Sequence, residues 1–370
     1  MNVKESILKT FCAGLTVVIL VTGIFATSMS TESFAQGMTI NGAGSTFIFP
    51  LMDTWRVEYE AVKPGVIVNY QSIGSGGGVK QFIAKTVDFG ASDAPLTLEE
   101  AQQALGAVHI PVTIGSVVPA YNIPGVDNGL KFTGPILADI FLGKITKWND
   151  PKLVEINPGI SLPNEDIVTV HRSDGSGTTY VWTDYLSAIS PEWEQRIGKG
   201  KSVQWPVGVG APGNEGISNS IRSSPNAIGY VELAYALTTG MTVGTVQNSA
   251  GNFIEPTLES TKAAAAASAP QLPAGDQSWS NITMVNAPGE QSYPITSFVY
   301  DFVFKEMSSN PNMNEAKARA LVDFITWTIT DGQQFGPDLG YVPLPENVVS
   351  LNQQTLKSLT FKGKSVATAL

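Results

Sequence analysis

Three times along this chain an extended segment runs into glycines and small hydroxyls and then into residues at helical spacing. The stretches are "NGAGSTFIFP" (residues 41–50), "GSGGGVKQF" (74–82) and "VTVHRSDGSGTTYVWTDYL" (168–186). A strand that breaks at a tight turn and continues as a helix is the repeating unit of α/β folds, because the helix supplies the crossover to the next parallel strand. The remainder of the chain keeps the alternation. "VIVNYQSIG" (66–74) reads as a strand, residues 87–91 as a short strand, and 111–120 as extended. Ile136, Ile140 and Phe141 stand at helical spacing, with Pro135 at the first helical position. Residues 166–170 predict a strand and 179–189 a helix; "NAIGYVELAYAL" predicts a strand and a helical start. "ALVDFITWTITDG" (320–332) predicts an apolar helix that stops at Gly332. The expectation is an α/β chain with mostly parallel sheet.

With 370 residues, two domains are more natural than one. Apolar residues make up 43% and charged residues 15%, which is a globular composition. The formal charge of −10 argues against nucleic acid and anionic membranes as partners. An anionic ligand would have to be attracted locally. The alanine run 263–267 predicts an exposed helix, and 270–294 a long surface loop or an inter-domain connection. Asn281-Ile282-Thr283 matches a glycosylation acceptor.

The first 35 residues read as a targeting segment. Lys4 and Lys9 precede an uncharged apolar stretch, and Ser33-Phe34-Ala35 fits a small-x-small cleavage site. The competing reading is an uncleaved anchor, for which the apolar stretch is short against the roughly 20 residues of a span. Cys12 is the only cysteine and lies inside this segment, so a processed chain would hold no disulfide and no thiolate.

Each of the three turns leads to a helix N-terminus, where unpaired N–H groups and adjacent hydroxyls favour an anion. Each taken alone is equally an ordinary N-capped loop. Arg172 offers a planar fork to an oxyanion, or a salt bridge to Asp174, or both at once. Asp93, in "FGASDAP", is either an N-cap or an acceptor for a ligand that brings its own proton. Hydrogen phosphate has such a proton and sulfate has none, so an ionised Asp93 would select against sulfate.

Other motifs fail. "GVGAPG" (208–213) has dinucleotide spacing, but it follows Trp205-Pro206 and contains Pro212, so a regular strand-turn-helix is not expected there. Gly200-Lys201-Ser202 resembles the end of a P-loop, but Gln195 stands where its first glycine should be. His109 and His171 are the only histidines and form no metal-ligand pattern. Gly175-Ser176-Gly177 is not a nucleophile elbow.

In order along the chain, "GAGSTF", "NYQSIGSGGGVKQFIAKTVDFGASDAPL", "DIFLGKITKWND", "HRSDGSGTTYVWTDYL", "AIGYVELAYA" and "YPIT" together resemble the periplasmic phosphate-binding protein of Pst-type ABC phosphate transporters. The resemblance implies an α/β, two-domain, type II periplasmic-binding-protein (Venus-flytrap) fold. Hinge crossings would fall near 112–114 and 293–296. Domain 1 would comprise 36–113 plus 293–370, and domain 2 114–292. It implies phosphate ligation by Thr46 and the Phe47 N–H, Ser75, Asp93 as proton acceptor, Arg172, Ser176, the Gly177 N–H and Thr178, with Asp174 holding Arg172. It implies no catalytic residue, metal or cofactor. The expected partners are inorganic phosphate and the transporter's permease subunits. A monomer at the outer face of the cytoplasmic membrane, free or tethered, is expected. His171 stands where a second basic residue is common in the family, and the lipobox of tethered members is lacking. Three readings stay beside this one. Another oxyanion could be the ligand, or phosphate could be a structural ion in a scaffold. An esterase would need Ser176 to find a base in His171.

Overall fold

In the computed structural model, residues 37–268 and 272–367 are described. The expected leader, 1–35, lies outside them. Nine strands form the main sheet: β1 Met38–Gly44, β2 Val66–Ser72, β3 Phe89–Ser92, β4 Ala107–Asn122, β5 Val168–Arg172, β6 Val209–Ala211, β7 Ala227–Glu232, β8 Thr242–Val243 and β9 Thr296–Phe304. Their order is β2-β1-β3-β9-β4-β7-β5-β6, with β8 also against β4. The mostly parallel sheet expected from the alternation is found only on the flanks. β1 pairs in parallel with β2 and β3, and β5 with β6 and β7. At the centre, β9 runs antiparallel to β3 and β4, and β4 antiparallel to β7 and β8. The local pattern gives each strand but not the direction of its distant partner.

β4 is the pivotal element. Its first part, Ala107 to Ser116, pairs with β9; from Val117 to Asn122 it pairs with β7. Both strands are buried almost throughout, which fits their apolar, β-branched composition. Pro111 is tolerated in a central strand because the register shifts opposite it, between Val299 and Tyr300.

The helices of the three turns form as expected. Phe49–Val62 follows the first, Ser75–Ile83 the second and Gly177–Ile189 the third. In the last, Trp182 stacks on Tyr230 at 5.2 Å, and Phe141 and Trp205 close the cluster. The aromatic half of this segment thus serves packing, with each buried ring contributing about 1.5–3 kcal/mol.

Three expectations need correction. The helix Glu315–Thr328 ends before Gly332, which instead lies in a 3-10 turn, where its carbonyl accepts the Trp55 indole N–H at 2.7 Å. A side chain on Gly332 would press on that ring. The alanine-rich helix Leu258–Ser268 is not simply exposed, because Ala264 and Ala265 are buried. The segment after it is not merely a surface loop, since Trp279 and Tyr293 are fully buried.

Candidate functional site

The three turns meet. The Gly76 N–H at the second donates to the Gly175 carbonyl of the third at 2.8 Å. A Cβ added to Gly177 would lie 2.4 Å from the Asp93 Oδ2 and 2.5 Å from the Ser75 hydroxyl. Only glycine permits this approach of the third turn to the acid. Thr46, Ser75, Asp93, Arg172, Ser176 and Thr178 are all buried around this point.

Each expected residue has a defined environment. Arg172, at the end of β5, makes a bidentate pair with Asp174: Nε to Oδ1 at 2.7 Å and Nη2 to Oδ2 at 2.5 Å. That leaves Nη1 facing Thr178, 3.4 Å from its Oγ1. The Arg172 side chain is 1% exposed and that of Asp174 23%, so the guanidinium is desolvated while its partner keeps some access to water. Asp174 is further fixed by the Gly213 N–H at 3.1 Å. The Ser75 hydroxyl accepts the Asp93 N–H at 3.3 Å. Ser176 caps the helix Gly177–Ile189 by accepting the Thr179 N–H at 3.0 Å. The Phe47 carbonyl accepts from the Tyr341 hydroxyl at 2.6 Å, and the Thr46 carbonyl from Tyr235 at 2.7 Å. The first turn is thereby held from both sides.

Asp93 is the chemical centre. It accepts a hydrogen bond from the Ser45 hydroxyl. Burial pushes its carboxyl up to about 7, against the opposing pull of the Ser45 hydroxyl, Arg172 and the Thr178 hydroxyl. The folded chain therefore binds more protons here than the unfolded chain between its ordinary value of 3.8 and about 7. The stability from this group is complete below the lower value and is lost as pH rises through the upper one. In the ligand-free protein, Asp93→Asn removes the titration. Its stability relative to the native protein should therefore rise from pH 4 to pH 8, by at most about 4 kcal/mol. Urea unfolding at several pH values reads this; parallel curves for the two proteins would refute it.

Two residues at the site escaped the sequence reading. Ser45 is one residue from Thr46, and no sequence signal says which of two adjacent hydroxyls turns to Asp93. Asn214 is the other. "GVGAPG" does form a strand-turn-helix, contrary to expectation: β6 ends at Ala211, Pro212 occupies the N-cap, and the helix Gly213–Ser223 begins. Pro212 suits that position because the N–H it lacks would have no intrahelical partner there, while its carbonyl accepts the Gly216 N–H at 3.0 Å. This fourth turn gives the Gly213 N–H to Asp174. It also places the Asn214 Nδ2 2.9 Å from the Thr46 Oγ1 and 3.2 Å from the Thr178 Oγ1. The strand before the glycines, with an asparagine directly after them, was the available signal.

The lysine of the abortive P-loop pattern has a different task. The Lys201 Nζ pairs with Glu100 at 2.6 Å, and its carbonyl accepts the Ser176 N–H at 2.8 Å. His171 stacks on Trp205 at 4.8 Å, with its Nδ1 at the Arg172 carbonyl, so it is not hydrogen-bonded to Ser176 as an esterase would require. His109 is a core residue whose Nε2 accepts the Leu96 N–H at 3.1 Å. Among the described residues, no group of three or more His, Cys, Asp or Glu is placed to hold a metal ion. No helix among them is long and apolar enough to cross a membrane.

The arrangement is a pocket of donors around one acceptor. Known proteins with this architecture agree in kind. A family model described as a PBP superfamily domain matches residues 29–331. The phosphate-binding protein PstS of Xylella fastidiosa (strain 9a5c) is 44% identical over 330 residues, 88% of this chain and 86% of its own length. That of Haemophilus influenzae is 44% identical over 335 residues, covering 90% and 96%. The solved phosphate-binding protein of Stenotrophomonas maltophilia shares the fold, with a TM-score of 0.65 at 19% identity, over 86% of this chain and 92% of that one. The sequence identity and the family match lead to one conclusion: this chain belongs to the PBP superfamily and, within it, to the family of PstS phosphate-binding proteins.

Proposed function

We propose that the protein binds inorganic phosphate in the pocket formed by the four turns and delivers it, outside the cytoplasmic membrane, to the membrane subunits of an ABC importer. One observation carries the reading. The buried Asp93 carboxyl lies beside Arg172 and the Thr178 hydroxyl, and Thr46 is joined to Thr178 through Asn214. An oxyanion that is acceptor on most sides and donor on one fits that polarity, and hydrogen phosphate is such an ion. The Ser75, Phe47, Ser176 and Gly177 positions complete the ligand set, through the hydroxyls of the serines and the backbone N–H groups of Phe47 and Gly177.

The proposed mechanism is closure of two lobes on the ion, one made of residues 36–113 and 293–370 and the other of 114–292. The exchange of strand partners between Ser116 and Val117 supports this division, as does the start of β9 at Thr296. Thr46, Ser75 and Asp93 then belong to one lobe and Arg172, Ser176 and Thr178 to the other. Ligand contacts on both lobes shift the population toward the closed arrangement. The protein acts as a monomer and carries no chemistry beyond binding.

Calorimetric titration of residues 36–370, stripped of bound ion, tests the reading. Tight binding of phosphate with weak binding of sulfate at pH 8 is expected. Equal affinity for both would remove the proton-based selectivity, and no binding of phosphate would remove the function.

A further inference from the structure

Hydrogen-bond accounting around Asn214 goes one step further, and rests on the phosphate reading above. The residue is fully buried. Its Oδ1 accepts the Glu232 N–H at 3.2 Å, which fixes the orientation of the carboxamide and points Nδ2 the other way. The two hydrogens of Nδ2 go to Thr46 Oγ1 and Thr178 Oγ1, one from each proposed lobe.

A hydroxyl has one proton and two lone pairs. Thr46 Oγ1 accepts from the Asn214 Nδ2 and also from the Asn214 backbone N–H at 3.3 Å. Both its lone pairs are thus occupied, and its proton is all it can offer. Thr178 Oγ1 accepts from Asn214 Nδ2 and from Arg172 Nη1. It too is left only with its proton, which in the ligand-free site is drawn to the Asp93 carboxyl. We infer that Asn214 is a positioning residue that sets the polarity of the pocket: its carboxamide fills the acceptor sites of both threonine hydroxyls, so that both face the ligand as donors, and it joins the two halves of the site.

The inference distinguishes itself from mere packing by sign. In Asn214→Asp, the carboxylate oxygen that replaces Nδ2 can only accept. It recruits the protons of Thr46 and Thr178 and turns the hydroxyls away from the ion. In Asn214→Ala the hydroxyls are merely released. Phosphate affinity at pH 8 should therefore fall by about 100-fold or more for Asn214→Asp and by about tenfold for Asn214→Ala. The Asn214→Asp loss should shrink as pH falls and its carboxylate is neutralised. In a double-mutant cycle, Thr46→Val should cost several-fold less in the Asn214→Ala background than in the native one. The melting temperature of each stripped variant reports folding separately, and the Ala and Val variants decide the matter if the Asp variant does not fold. Equal, pH-independent losses for Asn214→Asp and Asn214→Ala would overturn the inference, as would additive effects in the cycle. If the native protein binds no phosphate, the proposed function falls and this inference with it. If it binds and the cycle is additive, only the inference falls.

Discussion

Replacing Arg172 by alanine is expected to lower phosphate affinity by about a thousandfold, the equivalent of roughly 4 kcal/mol. The size follows from burial and pairing. The guanidinium is almost wholly shielded from solvent and is gripped at two positions by Asp174. Its removal takes away a charge-assisted donor. It also leaves the Asp174 carboxylate in the pocket wall without its counter-charge, facing an anion. Arg172→Lys keeps the charge but cannot span both Asp174 oxygens and Thr178 at once, so its loss should be intermediate. Titration calorimetry decides: a loss below about tenfold for the alanine variant would place the arginine at the edge of the site.

The second large effect concerns sulfate and pH. Sulfate is fully deprotonated near neutrality and can only accept. It is repelled by Asp93 as a carboxylate but receives a hydrogen bond from Asp93 as an acid. Because burial raises this group to about 7, both forms are populated near neutral pH. Sulfate affinity should be level below that value and fall about tenfold per pH unit above it. Phosphate, which carries its own proton, should show no such slope while hydrogen phosphate is the dominant ion. Asp93→Asn should abolish the sulfate slope, because the carboxamide donates at every pH, and should compress the preference for phosphate. Competition titrations from pH 6 to pH 9 separate these outcomes. A sulfate profile of the same shape in both proteins would show that Asp93 is not the discriminating group.

What the sequence disclosed was what depends on neighbours along the chain. Strand-turn-helix units are local, and so are the helix N-termini that result from them. The Arg172–Asp174 pair spans two residues and could be proposed from the sequence alone. What was hidden depends on distance. Asn214 touches Thr46 across 168 positions, and Pro212 in its turn reads locally as a strand and helix breaker. At the N-cap the same proline is harmless. The antiparallel centre of the sheet was equally unreadable, since β4 and β9 pair across almost the whole of the chain between residues 122 and 296. Burial of Ala264 and Ala265 belongs to the same class. An alanine-rich helix carries no pattern of its own to say which side is covered, and here the Ser116 hydroxyl meets Thr261 of that helix at 2.7 Å.

The continuity of β4 has a mechanical corollary. A pin joint lets two bodies turn freely, but a single sixteen-residue strand laddered to β9 at one end and β7 at the other acts as a leaf spring. Rotation of the lobes would flex this strip about Ser116 and Val117 without unzipping either ladder. The elastic load is then shared over several peptide units, and the stroke is limited in direction and amplitude by the stiffness of the pleat. Opening would break the contacts that span the proposed lobes, among them the Gly76–Gly175 bond, the Glu100–Lys201 pair and the bonds from Asn214 and Tyr235 to Thr46. If the lobes close as proposed, the spring would set the path of the motion, and those clasps would set how long the jaws stay shut.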